Sequence, residues 1–128
     1  MILDTSAIVA IVVREPGWEG LLDKLARAPE RGVGAPTLAE AGIVLSARLR
    51  ADARALLVRL LQEFEIETLP FEDAHWREAI EAWSRFGKGR HRAALNFGDC
   101  LAFATARLAG RPLLCVGGDF ARTDVERG

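Results

Sequence analysis

Little in this sequence advertises a partner. Its 128 residues carry 17 Lys and Arg against 18 Asp and Glu, a formal net charge of −1. Bulk charge therefore points to no particular ligand, and any contact with nucleic acid must come from a local patch. Cysteine is scarce. Cys100 and Cys115 sit in the apolar contexts Asp-Cys-Leu-Ala-Phe and Leu-Leu-Cys-Val. Without a C-x-x-C pair the usual zinc spacing is missing, and two reduced core thiols in a cytoplasmic protein are expected. No apolar run approaches the roughly 20 residues that span a bilayer, so no membrane partner is expected. Ala7–Val13 is apolar, but it follows an acid and has neither the basic start nor the small-residue cleavage site of a secretory leader. Repeats and low-complexity segments are absent too.

What is there suits a folded unit. Half of the residues are apolar and 27% are charged, the balance of a globular chain with a real core. The length predicts one domain over residues 1–128. Met1-Ile2-Leu3 reads as a buried strand that ends at once in an acid and two hydroxyl residues, Asp4-Thr5-Ser6, before a short helix from Ala7 to Val13. Arg14-Glu15-Pro16-Gly17 breaks that helix. Trp18, Leu21, Leu22 and Leu25 then form one helical face as far as about Ala28. Val33-Gly34-Ala35 reads as a second strand, and Pro36-Thr37 opens a helix to about Arg50. Asp52 is a candidate cap for a helix carrying Leu56, Leu57, Leu60, Leu61 and Phe64. Ile66–Leu69 alternates like an edge strand. Glu72–Phe86 is helical, with Ala79, Ile80, Trp83 and Phe86 expected on the core side. A basic loop spans Lys88–Gly98, and Asp99 starts a helix over Cys100–Ala109. Leu113–Val116 is a fourth strand, and Phe120–Asp124 a short helix after the Gly117-Gly118-Asp119 turn. Strands alternating with helices predict a three-layer α/β/α sandwich with a short parallel sheet of four or five strands.

Four acids fall where strands end or helices begin: Asp4, Glu40, Asp99 and Asp119. Each has a modest alternative. Asp4 and Asp99 are good N-caps, Glu40 suits the first turn of a helix dipole, and Asp119 suits a turn. Their common position argues otherwise, because right-handed crossovers bring strand ends to one rim, where ligands bind in such sheets. Crowded carboxylates repel one another and raise each other's pKa. A hard divalent cation, Mg²⁺ or Mn²⁺, relieves that repulsion with oxygen ligands and can drive phosphodiester hydrolysis. A second feature is Arg85-Phe86-Gly87-Lys88-Gly89-Arg90-His91-Arg92, with no acid between Glu81 and Asp99. It reads either as a solvated helix end or as a phosphate-contacting loop.

Taken together, Met-Ile-Leu-Asp-Thr-Ser-Ala at the start, Glu40 within Pro-Thr-Leu-Ala-Glu, Gly-Lys-Gly-Arg-His-Arg-Ala-Ala-Leu-Asn-Phe-Gly-Asp-Cys at 87–100 and Gly-Gly-Asp-Phe-Ala-Arg-Thr-Asp at 117–124 resemble a PIN domain. More narrowly they resemble the VapC toxins of bacterial VapBC toxin–antitoxin pairs. The resemblance implies a Mg²⁺- or Mn²⁺-dependent endoribonuclease that acts on RNA, dimerises and is neutralised by a small VapB-like antitoxin. It makes Asp4, Glu40 and Asp99 the core acids and Asp119 the fourth. Gly118 stands where similar proteins often carry a further acid, so Asp124 is a rival for the fourth place. Ser6, or Thr5, matches a hydroxyl near the metal. Lys88, Arg90, His91 and Arg92 become contacts for substrate or antitoxin, and the apolar stripes at Trp18–Leu22 and Leu56–Phe64 candidate faces for another chain. The alternative is a PIN-fold nucleic-acid-binding or regulatory module with a degenerate metal site. Phosphatase and receiver domains, which also gather acids around Mg²⁺, fit less well: Asp4-Thr5-Ser6 lacks the Asp-x-Asp of one and the paired acids of the other.

Overall fold

The computed structural model describes residues 1–128. Its strands are very short: β1 Ile2–Leu3, β2 Gly32–Gly34, β3 Glu67–Leu69 and β4 Leu113–Leu114. They form one parallel sheet in the order β3-β2-β1-β4. The helices are α1 Thr5–Val13, α2 Trp18–Arg27, α3 Ala35–Leu49, α4 Arg54–Glu63, α5 Asp73–Phe86 and α6 Phe97–Ala109, followed by a 3₁₀ turn Phe120–Arg122. Beyond β4 the C-terminal segment runs alongside as an isolated parallel bridge, Leu113 to Arg127. It accepts from Leu113 N–H through Glu126 O and donates from Gly128 N–H to Leu113 O, both at 2.8 Å. The expected three-layer fold with four or five parallel strands is therefore the one observed.

Two-residue strands suffice because each residue serves a different face. Successive side chains of a strand point to opposite sides. Ile2 and Leu113 pack with Phe86, Leu95 and Phe103 on the α5–α6 side. Leu3 and Leu114 pack with Ile8, Leu25, Val33, Leu45 and Leu60 on the side of α1–α4. Both layers approach the sheet closely. An added Cβ on Gly34 would lie 2.8 Å from Thr105 Oγ1, so β2 can pass over α6 only without a side chain there. No helix is long and apolar enough to cross a membrane.

Most boundaries lie within a residue or two of the expected ones, but three readings change. α6 begins at Phe97, capped by Asn96, so Asp99 sits inside the first turn rather than before the helix. α4 has Ala53 at its cap position, although Asp52 Oδ1 still accepts from Arg54 N–H at 2.9 Å. The largest change is in α5. Its buried residues are Ala79, Ala82 and Phe86, whereas Ile80 and Trp83 are 56% and 44% exposed. α5 packs most extensively against α6, whose buried face is itself rich in alanine. Small residues let two helices approach closely, so the alanines won the interface and turned the larger side chains outward.

That register is testable. Ala82, 1% exposed, should tolerate Leu poorly, losing about 1–3 kcal/mol to overpacking. Phe103→Ala, at a fully buried site, should cost about 3–5 kcal/mol. Urea unfolding measures both, and a neutral Ala82→Leu would mean that α5 is rotated from the described register.

Candidate active site

The site grows from the end of the central strand. Chain order reverses across β1, with β2 on one side and β4 on the other, which makes its C-terminal end the switch point where α/β sheets bind ligands. Asp4 stands there with extended backbone, φ −87° and ψ 160°, and caps α1. Its Oδ2 accepts from Ser6 N–H at 3.1 Å and from Ser6 Oγ–H at 2.6 Å. Ser6 Oγ in turn accepts from Val116 N–H at 2.9 Å, just past β4. Capping and site-lining are thus one arrangement, and Asp4 is only 4% exposed.

Glu40 arrives from the other side of β1. Because α3 starts at Ala35, Glu40 lies in its second turn, beyond the first-turn reach of that helix's dipole. Its Oε1 accepts a hydrogen bond from Thr5 Oγ1. Its Oε2 lies against the first turn of α6, 2.3 Å from the point a Cβ on Gly98 would occupy. Asp99 is the third residue of α6 and forms a reciprocal cap with Asn96: Asp99 N–H donates to Asn96 Oδ1 at 2.9 Å, and Asn96 N–H to Asp99 Oδ2 at 3.0 Å.

Asp4, Glu40 and Asp99 line one cavity of about 340 Å³ with Thr5, Ser6, Glu15, Asn96 and Val116. Burial pushes the Asp99 carboxyl up to about 6. The Asn96 N–H opposes this, while the charges of Asp4, Asp119 and Glu40 add to it. Asp4 is raised for the same first reason, burial, against its hydrogen bonds from Ser6 and Thr5, with Glu40 adding to the rise. As the side chains stand, no three of the acids are drawn around one point. Each is turned to its own donor: Asp4 to Ser6, Glu40 to Thr5, Asp99 to Asn96.

The remaining candidates are placed differently. Asp119 is exposed at the start of the 3₁₀ turn and does not line the cavity, yet its charge reaches Asp99. Asp124 bridges Arg85, at 2.6 Å, and Arg107. Arg107 is eight residues beyond Asp99 on α6, about 12 Å along the axis. Arg90 lies over the Trp83 ring at 4.7 Å and donates from Nε to Ser84 O. His91 Nδ1 accepts from Ala93 N–H, and its ring meets Phe86 edge-on. The Arg92 carbonyl accepts from Arg122, while the Arg92 side chain is exposed. Lys88 lines a cleft that it shares with Asn96, which also borders the acids.

Two polar residues of the cavity wall were not anticipated. Glu15 lines the cavity while paired to Arg48 at 2.9 Å; its position in a helix-breaking run carried no signal. Asn96 was foreseeable, since an N-cap type three residues before an acid is the capping-box spacing.

The raised carboxyls make the stability of the chain depend on pH. A carboxyl whose folded pKa exceeds its unfolded value of 3.8 binds its proton more tightly when folded. Its stabilising contribution is complete below 3.8 and is lost as pH rises through about 6. In chelator, the melting temperature should therefore rise on going from pH 7.5 to pH 5.5, and Asp99→Asn should raise it at pH 7.5 and flatten the dependence. A pH-independent Tm in the unaltered chain would contradict the placement of these acids.

Known proteins share both sequence and shape. The PIN domain model matches residues 1–126. The ribonuclease VapC36 of Mycobacterium tuberculosis is 48% identical over 127 residues, covering 98% of this chain and 91% of that protein. Ribonuclease VapC42 of the same species is 39% identical over 126 residues, covering 98% and 96%. Among solved structures, the sarcin–ricin-loop-cleaving toxin VapC20 of M. tuberculosis superposes with a TM-score of 0.78 at 18% identity, covering 99% and 97% of the two chains. A toxin–antitoxin complex from Klebsiella pneumoniae gives 0.71 at 15% identity, covering 96% and 92%. At this distance the two structures speak for the fold, while the sequence relatives speak for descent: the chain belongs to the PIN domain family, among the VapC ribonucleases.

Proposed function

We propose that this chain is the toxin of a type II toxin–antitoxin pair, a cytoplasmic endoribonuclease that hydrolyses RNA phosphodiester bonds with Mg²⁺ or Mn²⁺. The observation that carries the proposal is the shared cavity of Asp4, Glu40 and Asp99 at the switch point of the sheet. An all-oxygen donor set of clustered carboxylates, one of them pushed up to about 6, suits a hard divalent ion. Bound there, such an ion would supply an activated water and neutralise charge developing on the phosphate.

The protein's own part is positioning. Asp4 is fixed by Ser6, which ties it to the end of β4, and it would hold the ion together with Asp99. The Asn96 N–H occupies Asp99 Oδ2, leaving Oδ1 for the site. Glu40 uses Oε1 toward Thr5, leaving Oε2 to bind or to orient the attacking water. Asp119 would act at longer range, from the solvent side. Lys88, Arg90 and Arg92 would hold phosphates or the antitoxin, with Lys88 nearest the acids through the cleft shared with Asn96. His91 uses Nδ1 to hold its own loop, and Nε2 would be the atom that meets substrate or antitoxin.

Partners would meet two of the apolar clefts. One, of about 710 Å³, lies between α3 and α4 and is lined by Leu38, Ile43, Leu57, Val58 and Leu61. The other, of about 690 Å³, is lined by Phe71, Trp76, Ile80, Trp83, Phe97 and Leu101. An amphipathic helix of a small VapB-like antitoxin fits such a groove, and a second copy of the chain would cover further apolar surface in a homodimer.

Purified toxin freed of antitoxin should cleave RNA with Mg²⁺ or Mn²⁺, stop in chelator and resume on adding either ion. Asp4→Asn should lose about 100-fold or more in kcat, since it removes one charge from the centre that stabilises the transition state. Its melting temperature at neutral pH should hold or rise, because a buried carboxylate is replaced by a neutral side chain. Full cleavage by Asp4→Asn, or cleavage indifferent to chelator, would remove this site from the reaction, whereas no cleavage together with no binding of Mg²⁺ or Mn²⁺ at millimolar concentration would favour the nucleic-acid-binding or regulatory module with a degenerate metal site.

A further inference from the structure

Glu40 is held in a way that depends on a residue with no side chain. Its carboxylate is gripped from one side by the Thr5 hydroxyl. On the other side it rests on the first turn of α6, where a Cβ on Gly98 would meet Oε2 at 2.3 Å, Oε1 at 2.7 Å and Cδ at 2.8 Å. Real Cβ atoms do not approach so closely, so any side chain at 98 expels the carboxylate from this position. Gly98 needs no unusual backbone of its own. It is the second residue of α6, in an ordinary helical conformation that alanine adopts readily and that glycine, with more backbone entropy to lose, favours less. A glycine that weakens a helix, is buried and touches a site carboxylate has its explanation in that contact. The location is also electrostatically favourable, because the first turn of α6 presents the positive end of its dipole to a carboxylate contributed by α3.

We propose that Gly98 is a positioning residue: its missing side chain is the seat that lets the Glu40 carboxylate lie between Thr5 and the start of α6, and so sets how tightly the site takes a divalent ion. This rests on the metal-dependent reading of the site. Glu40 and Asp99 reach the cavity from different helices, and Gly98 is the neighbour of Asp99 in sequence. One glycine therefore fixes the spacing between the two carboxylates, which no hydrogen bond links directly.

The test is a double-mutant cycle of Gly98→Ala and Glu40→Asp in the full chain, with Mn²⁺ affinity measured by calorimetry alongside kcat on RNA and thermal melting. Gly98→Ala should melt at or above the wild-type temperature yet bind Mn²⁺ about tenfold more weakly or worse, the usual effect of disturbing what orients a ligand. Glu40→Asp alone should also bind weakly, being too short to span the seat. Combined, the shorter carboxylate clears the new methyl group, so the double variant should bind more tightly than the product of the two single losses predicts. Gly98→Ala with wild-type Mn²⁺ affinity, or strictly multiplicative losses, would overturn the positioning role while leaving the nuclease reading intact. A wild-type chain that binds no Mn²⁺ would instead overturn the nuclease reading, and this proposal with it.

Discussion

Carboxylates that repel one another are brought to a single cavity, and much of the surrounding structure serves to hold them there. Burial alone disfavours ionised Asp4 and Asp99, and the neighbouring acids add to the effect. A polypeptide that did only this would relax by swinging the side chains into water. Here each carboxylate is tethered by a local donor: Ser6 for Asp4, Thr5 for Glu40 and Asn96 for Asp99. Two of the three tethers come from the residues immediately after Asp4. The stretch Asp4-Thr5-Ser6 therefore caps a helix, fixes its own acid and fixes an acid 35 residues away.

The sheet makes this possible by being small. β1 contributes only Ile2 and Leu3, one to each core layer, yet its hydrogen bonds run to both β2 and β4, with Asp4 N–H continuing the ladder to Leu114 O at 2.9 Å. Asp4 inherits the rigidity of the central strand without belonging to it. Close approach elsewhere depends on small residues. Gly34 lets β2 lie on α6, Gly98 lets Glu40 lie on the same helix, and Ala79 and Ala82 let α5 lie beside it. α6 is the common surface, and it carries Asp99 at its start.

Much of this was legible in the sequence, for stated reasons. An apolar run ending in an acid marks a strand that stops at a ligand-binding rim, so Asp4 could be placed before any fold was known. Strands alternating with helices led directly to the parallel sheet, because few other architectures accommodate that order. Hydrophobic periodicity failed on α5. It placed Ala79 and Phe86 inward, as they are, but also expected Ile80 and Trp83 there, whereas these are exposed and Ala82 is buried instead. Close helix–helix contact selects small side chains, which periodicity alone does not weigh. The cap of α6 was misplaced by three residues because Asp99 and Asn96 both favour helix starts, and only the reciprocal hydrogen bonds distinguish cap from third residue. The fourth acid was the least legible: Asp119 and Asp124 both lie on an irregular segment, where Asp124 is engaged by Arg85 and Arg107 and the charge of Asp119 reaches Asp99. Gly98 was invisible as a site residue, since a close approach between α3 and α6 has no local signature.

The account depends on the acids forming one ion-binding centre, and locating an ion tests this most directly. Crystals of the chain grown with Mn²⁺ and measured for anomalous scattering should show manganese in the cavity at the end of β1, with Asp4 and Asp99 as direct ligands and Glu40 beside it, directly bound or through water. Manganese bound elsewhere with this cavity vacant, in crystals whose Asp4, Glu40 and Asp99 keep the hydrogen bonds described above, would contradict it.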